Sequence, residues 1–305
     1  MISLNISSGL NNLGNTCFFN SVLQLLYQCS VLNKILLFNH EILNNIPSDI
    51  IKEYIKFLLS YQNANSSFSP VEIINFISRK LNRLGYSQED ADQYLVYIID
   101  NLIVDLTKWM SENSYDLSIS DNNLTLKNKK VLNNLFTMKI EKTISCPECS
   151  HKSISNETNS IMYLSINGNN DKDNFANLID QYLFSILDND NKYKCEKCNK
   201  RVQAFISNSV IYPKYLIICI KRYDNRNQKL NNKIDVPLTF INRCGTYILR
   251  GFIYHSGNTG GGHYIYIGKK NDKWYIYDDS SVRHLDEISN YSSYGYIYLY
   301  TKQKN

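Results

Sequence analysis

Apolar residues recur at helical spacing through the first third of the chain. After Asp90 they stand three or four positions apart, which places them on one face of a long helix; they are Leu95, Ile98, Ile99, Leu102, Ile103 and Leu106. Ser87, with Asp90 three residues later, resembles a capping box and predicts the start of this helix. A shorter stripe after Cys17 comprises Val22, Leu25, Leu26 and Cys29. We therefore expect residues 17 to 110 to be mostly helical.

From about residue 135 the pattern changes to the alternation that is typical of strands. The predicted strand segments are 136–145, 152–166, 202–211, 215–223, 251–256, 262–268, 273–279 and 294–300. The segment 215–223 is a nearly continuous apolar run, which indicates a strand buried on both faces. A helical half followed by an antiparallel half predicts an α+β fold.

One pair of these strands brings two polar residues together. If residues 268–273 form the hairpin loop, Ile267 lies opposite Trp274 and His263 lies opposite Asp278. Directly opposed residues have Cβ atoms about 4.5–5.5 Å apart, so a carboxylate can orient an imidazole there. This prediction depends on the assumed register.

Composition and charge exclude several classes of protein. The 305 residues are 43% apolar and 20% charged, which is ordinary for a globular protein. No run of about 18 apolar residues occurs, and the first residues resemble no signal peptide, so we expect an intracellular protein in the cytoplasm or nucleus with no membrane partner. The net charge is +5, and its densest cluster is Lys127, Lys129 and Lys130. Without a basic stripe we expect no nucleic-acid partner.

Four of the eight cysteines form two C-x-x-C pairs with 45 residues between them: Cys146, Cys149, Cys195 and Cys198. In a long chain without a leader, this spacing predicts a metal site before disulfides. Four thiolates suit one tetrahedral, structural Zn²⁺. Paired thiols, a redox site or a contribution from His151 are the alternatives. Cys29 and Cys219 lie in apolar runs and are expected to be buried small side chains.

Residues 9–20 form a Gly- and Asn-rich loop that leads into an apolar helix, with Cys17 at the junction. The positive end of a helix dipole favours a thiolate, which is the form that acts as nucleophile. Asn12 and Asn15 supply short side-chain donors in the same loop. A side-chain amide beside a backbone N–H can form an oxyanion hole.

The sequence GLNNLGNTCFFNS, followed by LQLL, resembles the cysteine box of the ubiquitin-specific proteases. This resemblance implies that Cys17 is the nucleophile and Asn12 the oxyanion-hole amide. YHSGNTGGGHY and the later WYIYDDSSV resemble the histidine box of the same family. They imply His263 as base, Asp278 as its orienter, and Asp279 as support for the oxyanion site or the loops.

Two further segments are assigned to substrate binding. QEDADQYL, from residue 88, resembles a box whose acids meet the basic tail of ubiquitin in relatives, which implies this role for Asp90. Gln93 stands where the family has Glu, so one salt bridge is missing, and Glu89 or Asp92 is a candidate replacement.

The glycine-rich loop between His255 and His263 is the second segment. Its glycines, Gly257, Gly260, Gly261 and Gly262, allow backbone conformations that are closed to other residues. We expect this loop, with His255 and Gly262, to close over an extended substrate tail.

The resemblance implies one papain-like catalytic domain over residues 1–305. Its parts are a helical thumb (9–110), zinc-binding fingers (about 136–205) and a β palm (about 206–301). The implied function is a deubiquitinating thiol protease, expected to be a monomer, that acts on ubiquitin and ubiquitinated proteins. A protease for another ubiquitin-like modifier and a non-catalytic ubiquitin-binding module are the alternatives. Residues 111–135 match no motif.

Overall fold

The computed structural model describes residues 8–82, 89–113, 117–119, 124–126, 129–166, 171–188, 191–224, 226–258 and 261–303. The predicted capping box at Ser87 lies outside these residues, as do Lys127 and Gly260. The long helix is described from Ala91 onward.

The first part of the described chain is helical, as the apolar periodicity predicts. Its helices are α1 (Cys17–Tyr27), α2 (Ser30–Phe38), α3 (His40–Leu43), α4 (Asp49–Tyr61), α5 (Val71–Lys80) and α6 (Ala91–Asn113). The predicted stripe of α6 is buried from Leu95 to Leu106, with each of its six residues at most 6% exposed. All eleven residues of α1 are buried, because this helix lies between α6 and a large sheet.

The strands follow, with three more helices between them. The strands are β1 (Leu117–Ile119), β2 (Leu124–Leu126), β3 (Met138–Ser145), β4 (Lys152–Asn159), β5 (Met162–Ser165), β6 (Lys172–Asn174), β7 (Phe184–Leu187), β8 (Tyr193–Lys194), β9 (Arg201–Val202), β10 (Ala204–Ile211), β11 (Tyr215–Lys221), β12 (Lys233–Asp235), β13 (Thr239–Asn242), β14 (Gly245–Asn258), β15 (Gly261–Lys270), β16 (Lys273–Asp278), β17 (Ser281–Leu285) and β18 (Gly295–Lys302). The helices are α7 (Lys129–Phe136), α8 (Phe175–Leu183) and α9 (Ser289–Ser292).

Two sheets dominate this part of the molecule. The four-stranded sheet has the order β4-β3-β10-β7, and the eight-stranded sheet has the order β17-β16-β15-β14-β18-β11-β5, with β13 also paired to β14. β11 is buried on both faces: Ile217 and Cys219 contact the helical core, and Ile218 and Ile220 belong to the core on the opposite side. The α+β prediction is confirmed, and so is the burial of Cys219.

The second half is less uniformly antiparallel than its sequence pattern predicts. β5 runs parallel to β11, and β6 runs parallel to β12. Helix α8 covers the second face of the eight-stranded sheet through Phe175 and Leu178. It begins where the side chain of Asn174 accepts a hydrogen bond from the N–H of Asn177. This helix was not predicted from the sequence, although its apolar residues have helical spacing.

The predicted register of the β15–β16 hairpin is wrong. Ile267 pairs with Ile276, and Lys270 pairs with Lys273, so the turn contains only Asn271 and Asp272. Both turn residues have positive φ, as a two-residue type I′ turn requires. Continuing this register would place Ile265, and not His263, directly opposite Asp278.

Among the described residues, no single helix is long and apolar enough to cross a membrane. Helices α1 and α2 together reach the required length and composition, but the chain bends by 80° between them.

Candidate active site

The thiol of Cys17 is the first side chain of helix α1. The loop before it is shaped locally: the Thr16 hydroxyl accepts from the N–H of Leu13, and the Thr16 N–H donates to Oδ1 of Asn12. The rings of Phe18 and Phe19 contact Tyr94 of α6, with ring centroids 4.8 and 5.5 Å apart. The helix start is therefore fixed on both sides of Cys17.

The imidazole of His263 lies between Cys17 and Asp278. Its Nε2–H donates to Oδ1 of Asp278 over 2.6 Å, which leaves Nδ1 for the thiol. The hydrogen bond with Cys17 raises the pKa of His263 to about 9, the Asp278 carboxylate adds to this, and partial burial opposes it. The two residues meet diagonally across β15 and β16, and diagonal neighbours remain within reach of long side chains.

The side-chain amide of Asn12 is oriented from both ends. Its Oδ1 accepts from the N–H groups of Gly14 and Thr16, both at 3.0 Å. These two donors distinguish the oxygen of the amide from its nitrogen. Its Nδ2 donates to Oδ2 of Asp279 over 2.8 Å. The amide carries a second N–H, and Asn12 is exposed, so this donor can reach a bound substrate.

The carboxylate of Asp279 connects the strand end after Asp278 with the nucleophile loop. Its second oxygen accepts from Nδ2 of Asn20, also at 2.8 Å, and its backbone C=O accepts from the N–H of Leu10. Both carboxylate oxygens therefore hold asparagine side chains near Cys17. No role was predicted for Asn20 from the sequence. A buried amide in the apolar helix α1 was the available signal.

The acids at the start of α6 have different environments. Burial, and then the charge of Asp90, raise the pKa of Tyr223. Asp90 therefore lies near Tyr223, which follows the end of β11. Gln93 donates to Asp90 over 3.3 Å. Asp92 instead accepts from the hydroxyls of Tyr163 and Tyr296, at 3.0 and 2.9 Å. Its carboxylate joins α6 to the eight-stranded sheet, so Asp92 is a poor replacement for the missing Glu.

His255 lies beside the strand end that carries His263. Its ring stacks on Tyr264, with centroids 4.3 Å apart. Burial, and then the charges of Lys229 and His263, lower the pKa of His255 to about 4, so this ring is neutral. Gly262 passes so close that a Cβ would lie 2.2 Å from Nε2 of His255, which explains the glycine. Lys229, which no sequence motif indicated, contacts the same loop.

The four cysteines of the C-x-x-C pairs form one group, with sulfur atoms within 4.8 Å of one another. The sulfurs of Cys146 and Cys198 are 3.9 Å apart, and those of Cys149 and Cys195 are 3.6 Å apart. Bonds of about 2.3 Å to a tetrahedral ion separate the ligand sulfurs by about 3.8 Å, so the group fits such an ion.

The two C-x-x-C turns repeat one local structure. Cys146 and Cys195 donate backbone N–H bonds to the C=O groups of His151 and Lys200, each 2.9 Å. The residue after the second cysteine, Ser150 or Asn199, has positive φ in both turns. Backbone N–H groups, first that of Cys198, lower the pKa of Cys195 to about 6. A backbone hydrogen bond at His151 lowers the pKa of Cys149, but burial and the other three sulfurs outweigh it and raise this pKa to about 11, as expected for thiols that share one site.

A thiol at a helix N-terminus, an imidazole and a carboxylate in hydrogen-bonded sequence form the arrangement of a cysteine hydrolase. A family model described as "Ubiquitin carboxyl-terminal hydrolase" matches residues 8–300. The chain therefore belongs to the ubiquitin carboxyl-terminal hydrolase family.

Individual relatives agree with this assignment. The chain is 27% identical to ubiquitin carboxyl-terminal hydrolase Usp2 of Drosophila melanogaster, over 96% of this chain and 34% of that protein. It is 26% identical to ubiquitin carboxyl-terminal hydrolase 2 of Homo sapiens, over 96% of this chain and 54% of the relative. It is 25% identical to ubiquitin carboxyl-terminal hydrolase 8 of Saccharomyces cerevisiae, over 96% of this chain and 70% of that relative. The chain thus spans about a third to a half of the first curated relatives it matches.

Proposed function

We propose that this chain is a deubiquitinating thiol protease, which hydrolyses the isopeptide bond after the C-terminal Gly of ubiquitin. Its family, and the names of its relatives, support this activity. The observation that carries the proposal is the position of His263, which is hydrogen-bonded to Asp278 and whose pKa is raised by the adjacent Cys17. A base oriented in this way can activate the thiol and later donate a proton.

The reaction uses four side chains of this chain. The Cys17 thiolate attacks the carbonyl carbon of the terminal Gly, and the second N–H of Asn12 and the N–H of Cys17 hold the developing oxyanion. His263 protonates the leaving lysine amine, whose departure leaves an acyl-enzyme on Cys17. His263 then takes a proton from water, which releases the acyl group, while Asp278 keeps the Nε2–H of the imidazole in place.

A folded substrate also needs a larger contact surface. In the register of the four-stranded sheet, four apolar residues share one face; they are Ile154, Phe184, Ile186 and Phe205, with 50–65% of each exposed. Exposed apolar patches of this kind mark protein-binding surfaces. This face suits a ubiquitin-gripping role for the fingers, with Asp90, His255 and Gly262 beside the substrate tail.

The metal of the four-cysteine group is proposed to be one structural Zn²⁺. Four protein thiolates complete a tetrahedral shell and leave no position for a substrate. The ion would join the β3–β4 turn to the segment between β8 and β9 and so stabilise the fingers. The division into thumb (9–110), fingers (about 136–205) and palm (about 206–301) is proposed from the resemblance of the motifs to those of the family. We also propose that the protein is a monomer of the cytoplasm or nucleus that binds neither membranes nor nucleic acid.

A protease for another ubiquitin-like modifier is the second candidate. Gln93 donates to Asp90 where a second acid is expected, so the negative charge at the start of α6 is reduced. A panel of modifiers, each carrying a fluorophore at its C-terminus, separates the two candidates. Cleavage of another modifier in preference to ubiquitin would replace the first proposal by the second.

The primary test is release of a fluorophore from the C-terminus of ubiquitin by the wild type and by Cys17→Ala. We expect release by the wild type alone, because the variant lacks the nucleophile, and we expect the variant to retain ubiquitin binding. Binding without release by the wild type would instead indicate a non-catalytic ubiquitin-binding module.

A further inference from the structure

The hairpin that carries His263 extends beyond the sheet that supports it. β14 pairs with β18 only as far as Tyr254, opposite Gly295. The β14–β15 ladder continues for four more pairs, to Asn258 opposite Gly261. Among the described residues, no strand pairs with the outer edge of residues 255–258, and polar backbone groups on such an edge need other partners.

The ammonium group of Lys229 occupies this edge. It donates to the C=O of His255 over 2.8 Å and to the C=O of Gly257 over 3.0 Å. These carbonyls are two residues apart, and one ammonium group binds both, so they point to the same side of the strand. The Lys229 side chain is half-buried, and burial followed by the charge of Arg222 lowers its pKa. The side chain of Lys229 thus supplies two of the hydrogen bonds that a neighbouring strand would otherwise make.

The restrained segment lies directly beside the proposed base. Ser256 pairs with His263, and its hydroxyl donates to the C=O of His263 over 3.3 Å. A shift of the 255–258 strand would therefore move the backbone of His263 relative to Cys17, which belongs to another element. Displacements of about 1 Å can cost about 10²-fold in rate.

The same ammonium group also faces the ring of His255. Nδ1 of His255 is 3.4 Å from Nζ of Lys229 and 3.5 Å from the hydroxyl of Tyr223. Since an ammonium only donates, Nδ1 is an acceptor and the ring is neutral. His263 and Tyr264, on the adjoining strand, are the other groups near this ring.

We propose that Lys229 is a positioning residue for His263: its ammonium binds the strand edge at His255 and Gly257 and so holds the end of the β14–β15 ladder, with His263, in place relative to Cys17. The inference rests on the proposed Cys17–His263 chemistry but does not depend on ubiquitin as substrate. Lys229 acts through the hairpin backbone, and it touches neither the thiol nor the scissile bond.

The test measures alkylation of Cys17 by iodoacetamide from pH 5 to 10. This reaction needs no ubiquitin, and its rate near neutral pH depends on the fraction of Cys17 thiolate, which an aligned imidazole increases. The variants are Lys229→Met, which has similar length and no donors, and Lys229→Arg, which keeps charge and donors. Lys233→Met, at the exposed first lysine of β12, is the matched control. We expect Lys229→Met to slow alkylation at pH 7 about tenfold, Lys229→Arg to restore most of the rate, and the control to behave as wild type.

Circular dichroism melts establish that each variant is folded at the assay temperature. If Lys229→Met is not, Lys229→Gln replaces it, and the pKa of His255 is followed by NMR, where loss of the positive charge should raise it from about 4. A folded variant with the wild-type alkylation profile would overturn the proposal, and so would a variant in which the His255 titration is unchanged. If alkylation behaves as expected while ubiquitin derivatives are not cleaved, only the proposed substrate fails.

Discussion

The amide of Asn12 and the carboxylate of Asp279 are joined by a hydrogen bond of 2.8 Å across 267 positions of the chain. The other oxygen of the same carboxylate holds Asn20, one turn into the helix that begins at Cys17. One acid therefore fixes the proposed oxyanion donor and the helix that carries the proposed nucleophile. Asp279 is thus placed to support the loop that carries Asn12.

We expect Asp279→Asn to reduce kcat by roughly 10²-fold, because an amide cannot accept from both asparagines and Asn12 would lose its orientation. The KM for a ubiquitin–fluorophore substrate should change little. Asp272→Asn is the control. This acid lies in the turn between β15 and β16, at the opposite end of β16 from Asp279, and asparagine tolerates its positive φ. A wild-type kcat for Asp279→Asn would separate Asp279 from the oxyanion site.

Asn12→Ala should reduce the rate by roughly 10²–10³-fold, the usual loss when one oxyanion donor is removed. The variant should still react with iodoacetamide, because Cys17 and His263 are unchanged. Steady-state kinetics and alkylation are measured side by side. Near-wild-type turnover would remove Asn12 from the oxyanion role.

The titration of His263 should reveal its contact with Cys17. We expect a pKa near 9 in the wild type and a pKa shifted toward 6.5 in Cys17→Ala, because the thiol is the largest cause of the increase. Since the pKa of the folded state exceeds that of the unfolded state, this interaction stabilises the fold fully below pH 6.5 and is lost as the pH rises through about 9.

NMR of the imidazole Cε1–H group, followed against pH, measures this pKa. Cys219→Ala is the control, because it removes a buried thiol elsewhere in the sheet. Identical His263 titrations in the wild type and Cys17→Ala would contradict the contact.

Zinc should copurify at one ion per chain, as measured by elemental analysis, and a strong chelator should lower the melting temperature. Cys195→Ser should lose the ion, because the remaining three thiolates cannot complete the shell. Cys244→Ser, a cysteine outside the group, should retain it. A metal-free wild type with an unchanged melting temperature in chelator would leave the group as paired thiols.

Asp92→Ala should destabilise the fold by about 1–3 kcal/mol, because the hydroxyls of Tyr163 and Tyr296 lose their acceptor. Urea unfolding measures this difference. Glu112→Ala, an exposed acid near the end of the same helix, should change the free energy of unfolding little. Equal stability of the two variants would show that Asp92 does not join α6 to the sheet.

Local patterns in the sequence were sufficient for much of the fold. The buried stripe of α6 and the buried strand β11 follow directly from periodicity, because the apolar spacing of a segment records which of its faces is removed from water. Helix α8 carries the same signal and was missed among strand-like neighbours. The parallel pairing of β5 with β11 has no local signal, because it joins segments more than fifty residues apart.

The candidate site divides in the same way. Motif positions in the sequence singled out Cys17, His263, Asp278 and the four cysteines of the C-x-x-C pairs, because their chemistry depends on residue type and short spacing. The predicted register, which placed His263 directly opposite Asp278, was wrong by two residues. The prediction did not take into account that Asn271 and Asp272 alone can form a two-residue hairpin turn.

The sequence by itself determined the candidate reactive groups of this protein, its α+β class and most of the elements that carry these groups. Only the tertiary structure decided which polar groups support them: Asp279 on Asn12 and Asn20, Lys229 on the edge of β14, and Asp92 between α6 and the sheet. The physical reason is that periodicity reports burial along one segment. A hydrogen bond between distant segments depends on their packing and register, which no single segment encodes.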